Sequence, residues 1–220
     1  ETADSLETTL DRDGYIILQE TLNEQRLSEF RDSIRQVFAL AANENEDIFQ
    51  TCSRLDKEVK KRLHMISQII SKLDAFTVLE TACFSFAKQL LPSGPLVLLV
   101  KSVLFGLPID KRLVYNWHQE SAYWPIENPV LNFHFPVFEK ADQQNGTMSV
   151  LVGSHKQGRL PYIKSKKSSD AYMNLTPENI EELENQCLEE RFDMELGDLG
   201  ILHHDLLHRS NFNSTPRTRF

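Results

Sequence analysis

Pro95-Leu-Val-Leu-Leu-Val100-Lys-Ser-Val-Leu-Phe105-Gly-Leu107 is where the pattern of the chain changes. Before it, apolar residues recur at helical spacing. After it, runs of β-branched and aromatic residues are separated by turn signals. The stretch is the longest apolar run, and Lys101 and Ser102 interrupt it. A membrane span needs about 20 apolar residues, so the run reads as one or two buried strands. Helices followed by many short strands predict an α+β fold whose sandwich or barrel carries the functional site.

Upstream, Gly14-Tyr-Ile-Ile-Leu18 reads as a first strand. Asn23 is a suitable N-cap for a helix with Leu27, Phe30, Ile34, Val37, Phe38 and Ala41 on one face. A second helix carries Leu55, Val59, Leu63, Ile66, Ile69, Ile70 and Leu73, with His64 solvated among Lys60, Lys61 and Arg62. Asp74 can cap a third, running to about Leu91 before Pro92 and Gly94. Downstream, strands are expected near 96–105, 112–118, 130–138, 147–152, 191–196 and 199–204, with another beginning at about Arg217. Asn145-Gly146 marks a turn, and Thr176-Pro177 should open one more helix. The chain thus reads as a single domain, residues 1–220, with a helical part at about 20–92 and a strand-rich part at about 95–220.

Composition narrows the function. Lys and Arg number 24 against 32 Asp and Glu, a net charge of −8, which argues against a nucleic-acid or membrane-surface binder. Three widely spaced cysteines, Cys52, Cys83 and Cys187, make neither a disulfide framework nor a CxxC zinc pair. They fit idle thiols of a reducing compartment, and without a secretory signal pattern the expected location is cytoplasmic.

The chemistry concentrates in Tyr115-Asn-Trp-His118-Gln-Glu120-Ser-Ala-Tyr-Trp-Pro125. Residues two apart on a strand share a face, so His118 and Glu120 can aim an imidazole and a carboxylate at one point. His208, in Leu206-Leu-His208-Arg-Ser210, is the candidate third ligand. Two His and one carboxylate leave open positions on an octahedral metal, the arrangement of non-haem Fe(II) oxygenases. His203 and Asp205 form a competing His-x-Asp pair, but no His follows His208 to complete it. Arg217 and Arg219 lie beyond the last ligand, with Ser210 two residues after it. A guanidinium there could hold the far carboxylate of a dicarboxylate whose other end chelates the metal.

At these residues the chain resembles the phytanoyl-CoA dioxygenase family of Fe(II)/2-oxoglutarate oxygenases. The likeness runs through Asp13-Gly-Tyr-Ile-Ile-Leu18, Trp117-His-Gln-Glu-Ser-Ala-Tyr-Trp124, Phe135-Pro136, Asn145-Gly146, Gly153-Ser-His155, Leu207-His208-Arg-Ser210, Asn213 and Arg219. It implies a double-stranded β-helix (jelly-roll, cupin-like) core with N-terminal helices packed against it. It implies Fe(II), 2-oxoglutarate and O2 as cofactor and cosubstrates, with hydroxylation of a C–H bond and release of succinate and CO2. His118, Glu120 and His208 would be the iron ligands. Arg219, assisted by Ser210, would take the 5-carboxylate of 2-oxoglutarate, and Gln119 would shape its pocket. His134 falls where the family has an inward aromatic and could face the substrate.

Two features stay open at this level. The family carries Asp where this chain has Glu120, which leaves room for a non-catalytic β-helix binding module. A cupin-like metal enzyme that does not use 2-oxoglutarate is the other alternative. The substrate is a small molecule. Tyr123 and Trp124 suit an apolar or ring-shaped one, though core packing explains them equally. Arg159, Lys164, Lys166 and Lys167 suit an anionic one. The chain stops one residue after Arg219, so its last strand is expected to be cut short on the C-terminal side.

Overall fold

The computed structural model describes residues 3–58, 62–108, 114–164 and 175–220. Five helices come first, interrupted by one strand: α1 (Ala3–Asp13), β1 (Tyr15–Leu18), α2 (Glu24–Ala39), α3 (Ile48–Glu58), α4 (Arg62–Ile70) and α5 (Asp74–Leu90). The remainder holds a one-turn helix α6 (Glu120–Tyr123), β2 (Leu131–His134), β3 (Met148–Leu151), β4 (Tyr162–Lys164), β5 (Leu175–Pro177), α7 (Ile180–Gln186), β6 (Glu189–Arg191), β7 (Leu199–His203) and β8 (His208–Ser210). This is the α+β organisation expected from the sequence.

Two three-stranded antiparallel sheets form the centre, in the orders β1-β7-β2 and β6-β3-β8. In the first, Gly200 pairs with Ile17 on one side and His134 on the other, and Leu202 pairs with Tyr15 and Asn132. Paired residues share a face, so Tyr15, Ile17, Gly200, Leu202, Asn132 and His134 all point the same way. That face meets Val150, Met148, Phe192 and Met194 from the second sheet and its margins in one apolar cluster. Gly200 sets the spacing: a Cβ there would stand 2.2 Å from the Phe192 ring. The opposite face, with Ile16 and Ile201, packs against α1 and α5.

The helices form for the reasons their sequence suggests. Asn23 Oδ1 accepts from the Arg26 N–H at 3.1 Å, and Leu27, Phe30, Ile34 and Phe38 are buried at helical spacing below it. Phe38, Phe49, Phe105 and Phe138 surround Phe220, with ring centroids 5.0 to 5.8 Å from it.

Several boundaries differ from expectation. The stretch 96–105 is not a strand. Its backbone is tied to helix side chains: Ser67 Oγ donates to Val103 O and accepts from Val103 N–H, and Lys101 reaches Thr77 and Glu80. Val97 to Val100 are consequently exposed. The expected second helix is two helices, with Val59, Lys60 and Lys61 outside the described residues. Leu73 stands at the N-cap position of α5 without a side-chain cap, and Asp74 is the first residue of the helix. Thr176 and Pro177 belong to β5, paired with β4, and Asn179 stands at the N-cap position of α7 without a side-chain cap. Proline is tolerated at that strand end because no partner there needs its missing N–H. The strand expected at 191–196 starts earlier, as β6, and at 217 only the single bridge Gly106–Arg219 forms. Of the strand expected at 112–118, residues 112 and 113 lie outside the described residues and 118 makes one bridge. Helix α1 was not expected; Leu6 and Leu10 are its buried residues.

Candidate metal centre

His118 and His208 are held face to face by the backbone. Each donates its N–H to the other's carbonyl, at 3.0 and 3.1 Å, which adds residue 118 to the edge of the β6-β3-β8 sheet. Their rings lie 4.2 Å apart. Each imidazole also donates Nδ1–H to a nearby carbonyl, His118 to Asn116 at 2.7 Å and His208 to Leu206 at 2.9 Å. A carbonyl can only accept, so both rings present a bare Nε2 lone pair.

Glu120 arrives by a route the sequence did not suggest. It is the first residue of α6, not a strand residue two beyond His118. The turn through Gln119 still delivers its Oε1 to 3.9 Å from His118 Nε2 and 3.8 Å from His208 Nε2. The three ligand atoms lie within 4.8 Å of one another, the only such group among the described residues. The extra methylene relative to Asp therefore fits here. Burial, reinforced by His208, holds the His118 imidazole below its ordinary range. Burial opposes the charge of Glu120, but the surrounding imidazoles, His208 foremost, outweigh it and keep the carboxyl low. The set thus brings together one ring nitrogen from each imidazole and one carboxylate oxygen.

Gln119 occupies neither the metal site nor an open pocket. Its side-chain amide donates to Gly158 O at 2.9 Å and Asp205 O at 2.7 Å, and its carbonyl accepts from Leu160 N–H at 2.9 Å. Those bonds pin two loops beside the triad, so its part is support. Tyr123 stands edge-on to His118 at 5.7 Å, and its hydroxyl accepts from the Leu175 N–H. Tyr115 flanks the same ring at 5.7 Å, and nothing in its spacing signalled this. Trp124 is 44% exposed, and its carbonyl accepts from His204 Nε2. The competing pair stays apart: Asp205 N–H donates to His203 Nδ1, and the His203 ring lies over His155 at 5.0 Å.

Arg219 is fixed by its bridge to Gly106 and by donation from Nε to Asn145 O at 3.2 Å. Gly106 makes room for it, since a Cβ would lie 3.3 Å from Nε and Nη2. Burial lowers the guanidinium's pKa, and Glu139 only partly opposes this. No carboxylate among the described residues lies within ion-pair distance of it. Arg217 instead stacks over Phe49 at 3.9 Å. Ser210 lines a cleft of about 440 Å³ with Tyr115, Asn116, Trp117, Asn211 and Phe212. His134 faces the interior, with burial driving its imidazole pKa down to about 4. Of the basic loop, Arg159 reaches Ile126 O, and Lys166 and Lys167 lie outside the described residues.

The family model for phytanoyl-CoA dioxygenase (PhyH) matches residues 10–220. No curated protein matches the sequence at a significant level. Among solved structures, the chain is similar to the non-heme alpha ketoglutarate dependent epimerase SnoN from nogalamycin biosynthesis. The two share 17% identity over 99% of this chain and 78% of that one, with a TM-score of 0.65. It is similar to EctD from S. alaskensis with 2-oxoglutarate and 5-hydroxyectoine, at 18% identity, 98% and 72% coverage and a TM-score of 0.62. It is also similar to EvdO2 from Micromonospora carbonacea var. aurantiaca, at 16% identity, 97% and 85% coverage and a TM-score of 0.64. At such identities the likeness is one of fold.

Proposed function

The chain belongs to the phytanoyl-CoA dioxygenase family of iron- and 2-oxoglutarate-dependent enzymes, and from that premise we propose that it hydroxylates a C–H bond of a small-molecule substrate. Succinate and carbon dioxide are the other products. The two facing sheets are read as the walls of a double-stranded β-helix, and His118, Glu120 and His208 as the ligands of one iron.

Arg219 carries this reading. A half-buried guanidinium with no ion-pair partner among the described residues is costly, because Glu139 repays its desolvation only in part. A dicarboxylate that chelates a metal at the triad and extends to Arg219 satisfies both ends at once. The donor set fits such a group: three ligand atoms converge, both imidazoles expose Nε2, and the carboxyl is held ionised. Bound there, iron with 2-oxoglutarate supplies the oxidising power, and the protein supplies placement.

The remaining residues then have separate tasks. Asn116 O and Leu206 O orient the imidazoles. Gln119 holds the loops at 158–160 and 205 against the triad. Ser210 assists Arg219. Tyr115 and Tyr123 wall the side of His118, which favours a substrate with an apolar or ring-shaped part. Arg159 leaves an anionic group on that substrate as a further proposal. Among the described residues no helix is long and apolar enough to cross a membrane, and a cytoplasmic site of action is proposed from the three free thiols.

The test is incubation in air with Fe(II), 2-oxoglutarate and a metabolite extract. The expected result is a compound gaining one oxygen atom, matched by an equal amount of succinate. Succinate release without any oxygenated product, or neither, overturns the hydroxylase reading.

A further inference from the structure

Successive residues of an extended chain face opposite ways, so the inward His118 and His208 leave Trp117 and Arg209 on the outer face of the β6-β3-β8 sheet. β3 shows the same division. Val150 belongs to the cluster between the sheets, and Leu151 to another with Trp117, Leu183 and Leu207. On that outer face the Arg209 guanidinium stacks over the Trp117 indole, 4.7 Å from the ring centroid. Trp117 Nε1 donates to Glu184 Oε1 at 2.6 Å, and Arg209 Nη1 approaches the same oxygen at 3.8 Å. Arg209 Nη2 pairs with Glu189 Oε1 at 2.8 Å. One carboxylate of α7 therefore gathers the neighbours of both histidine ligands.

The backbone alone leaves one freedom open. Among the described residues, three backbone hydrogen bonds join residues 115–118 to β8: the reciprocal pair between His118 and His208, and Ser210 N–H to Tyr115 O at 3.0 Å. Residue 118 makes an isolated bridge, not a ladder. Such bonds set the spacing but leave rotation about the chain axis soft. That rotation would swing Trp117 and His118 in opposite directions, so holding the indole holds the imidazole. Trp117 is 4% exposed, and its one ring donor is engaged by an ionised acceptor, the stronger kind of hydrogen bond.

We infer that Glu184 is a positioning residue for the metal centre: by accepting from Trp117 and drawing Arg209 to the same oxygen, it sets the angle at which the His118 and His208 imidazoles meet the metal. The inference rests on the reading of His118, Glu120 and His208 as metal ligands and adds a residue that touches neither metal nor cosubstrate. The Glu184 side chain is 38% exposed, so its ion pair contributes little by itself. Its effect passes through the buried indole. Glu181 and Glu182 share its short helix, which made the carboxylate look like one more solvated charge.

Three variants separate positioning from charge and from packing. Fe(II) affinity, measured anaerobically by competition with a coloured chelator, and thermal unfolding of the metal-free protein are compared for wild type, Glu184→Ala, Glu184→Gln and Leu183→Ala. Gln removes the charge but keeps an oxygen that accepts from Trp117, and Arg209 keeps Glu189. Leu183→Ala loosens the same cluster from the same helix and leaves the hydrogen bond in place. In Glu184→Ala the Fe(II) affinity should fall about tenfold, the low end of what supporting partners of metal ligands contribute. Glu184→Gln should restore it nearly to the wild-type value. Leu183→Ala should lower the unfolding midpoint and leave Fe(II) affinity unchanged. Unchanged affinity in Glu184→Ala overturns the inference. So does a Gln variant as weak as Ala, which makes charge the cause, and so does an equal loss in Leu183→Ala, which makes packing the cause. A wild type that binds no Fe(II) overturns the metal reading itself, and the inference with it.

Discussion

His118 and His208 face each other across an antiparallel bridge, with paired N–H···O bonds at 3.0 and 3.1 Å and rings 4.2 Å apart. Two ligands separated by ninety positions in sequence are thereby fixed by backbone, so the metal site is built before any metal enters. The variable member is Glu120, which reaches in from the start of α6.

That arrangement predicts a sharp length requirement. In Glu120→Asp the carboxylate retreats by roughly one C–C bond, about 1.5 Å. Its oxygen now sits almost equidistant from the two Nε2 atoms, at 3.9 and 3.8 Å. Fe(II) affinity should fall at least tenfold, measured by competition with a coloured chelator. Equal or tighter binding in the Asp variant would show that the backbone of α6, not side-chain length, sets the carboxylate's position.

Gly106 offers a way to disturb Arg219 without removing it. In Gly106→Ala the new methyl would sit 3.3 Å from Nε and Nη2 and push the guanidinium aside. The KM for 2-oxoglutarate should rise several-fold while Fe(II) binding stays unchanged. A normal KM would mean that the guanidinium's present position is not the one that matters.

Gly200→Ala should act on stability. Its Cβ would meet Phe192 at 2.2 and 2.4 Å and the Met194 sulfur at 3.1 Å, between the two sheets. Overpacking of this kind costs about 1–3 kcal/mol. The midpoint of thermal unfolding should drop by several degrees. An unaltered midpoint would contradict the close sheet spacing at this residue.

Metal-free protein should also lose stability in mild acid. The His134 imidazole, driven down by burial, titrates at about 4 in the folded chain, against about 6.5 when unfolded. Between those values the unfolded chain binds the extra proton. Stability from this residue is therefore complete above about pH 6.5 and declines as pH falls toward 4, by roughly 3 kcal/mol at most. His118, His155 and His203 are displaced in the same direction, so they add to the slope. Thermal unfolding followed from about pH 7.5 to about pH 4 should show the decline, and it should be shallower in His134→Phe. A slope identical in the two proteins would contradict the assignment of part of it to His134.

The identity of the triad was legible because it depends on residue type and order. His118, Glu120 and His208 were the His-x-carboxylate and distal His that the chemistry requires, and the chain brings them together. The local route differs: the spacing predicts a period-2 strand, where a bridge and a one-turn helix do the work. The apolar run at 96–107 shows the limit of hydropathy. It reads as buried strand, yet its register is set by Ser67 and Lys101, whose partners lie far away in sequence. Helix α1 was missed because its buried Leu6 and Leu10 stand among charged residues. The task of Gln119 was also hidden, since the carbonyls it holds belong to residues 158 and 205.

The most direct test of the account is an anaerobic titration of the metal-free protein with Fe(II) followed by 2-oxoglutarate, watched in the visible region. The account predicts one iron bound per chain and a chelate absorption band that appears on adding 2-oxoglutarate. It also predicts that His208→Ala loses both and that Arg219→Ala keeps the iron but needs far more 2-oxoglutarate. Iron bound equally well by His208→Ala, or a wild-type protein that develops no band at any 2-oxoglutarate concentration, would contradict it.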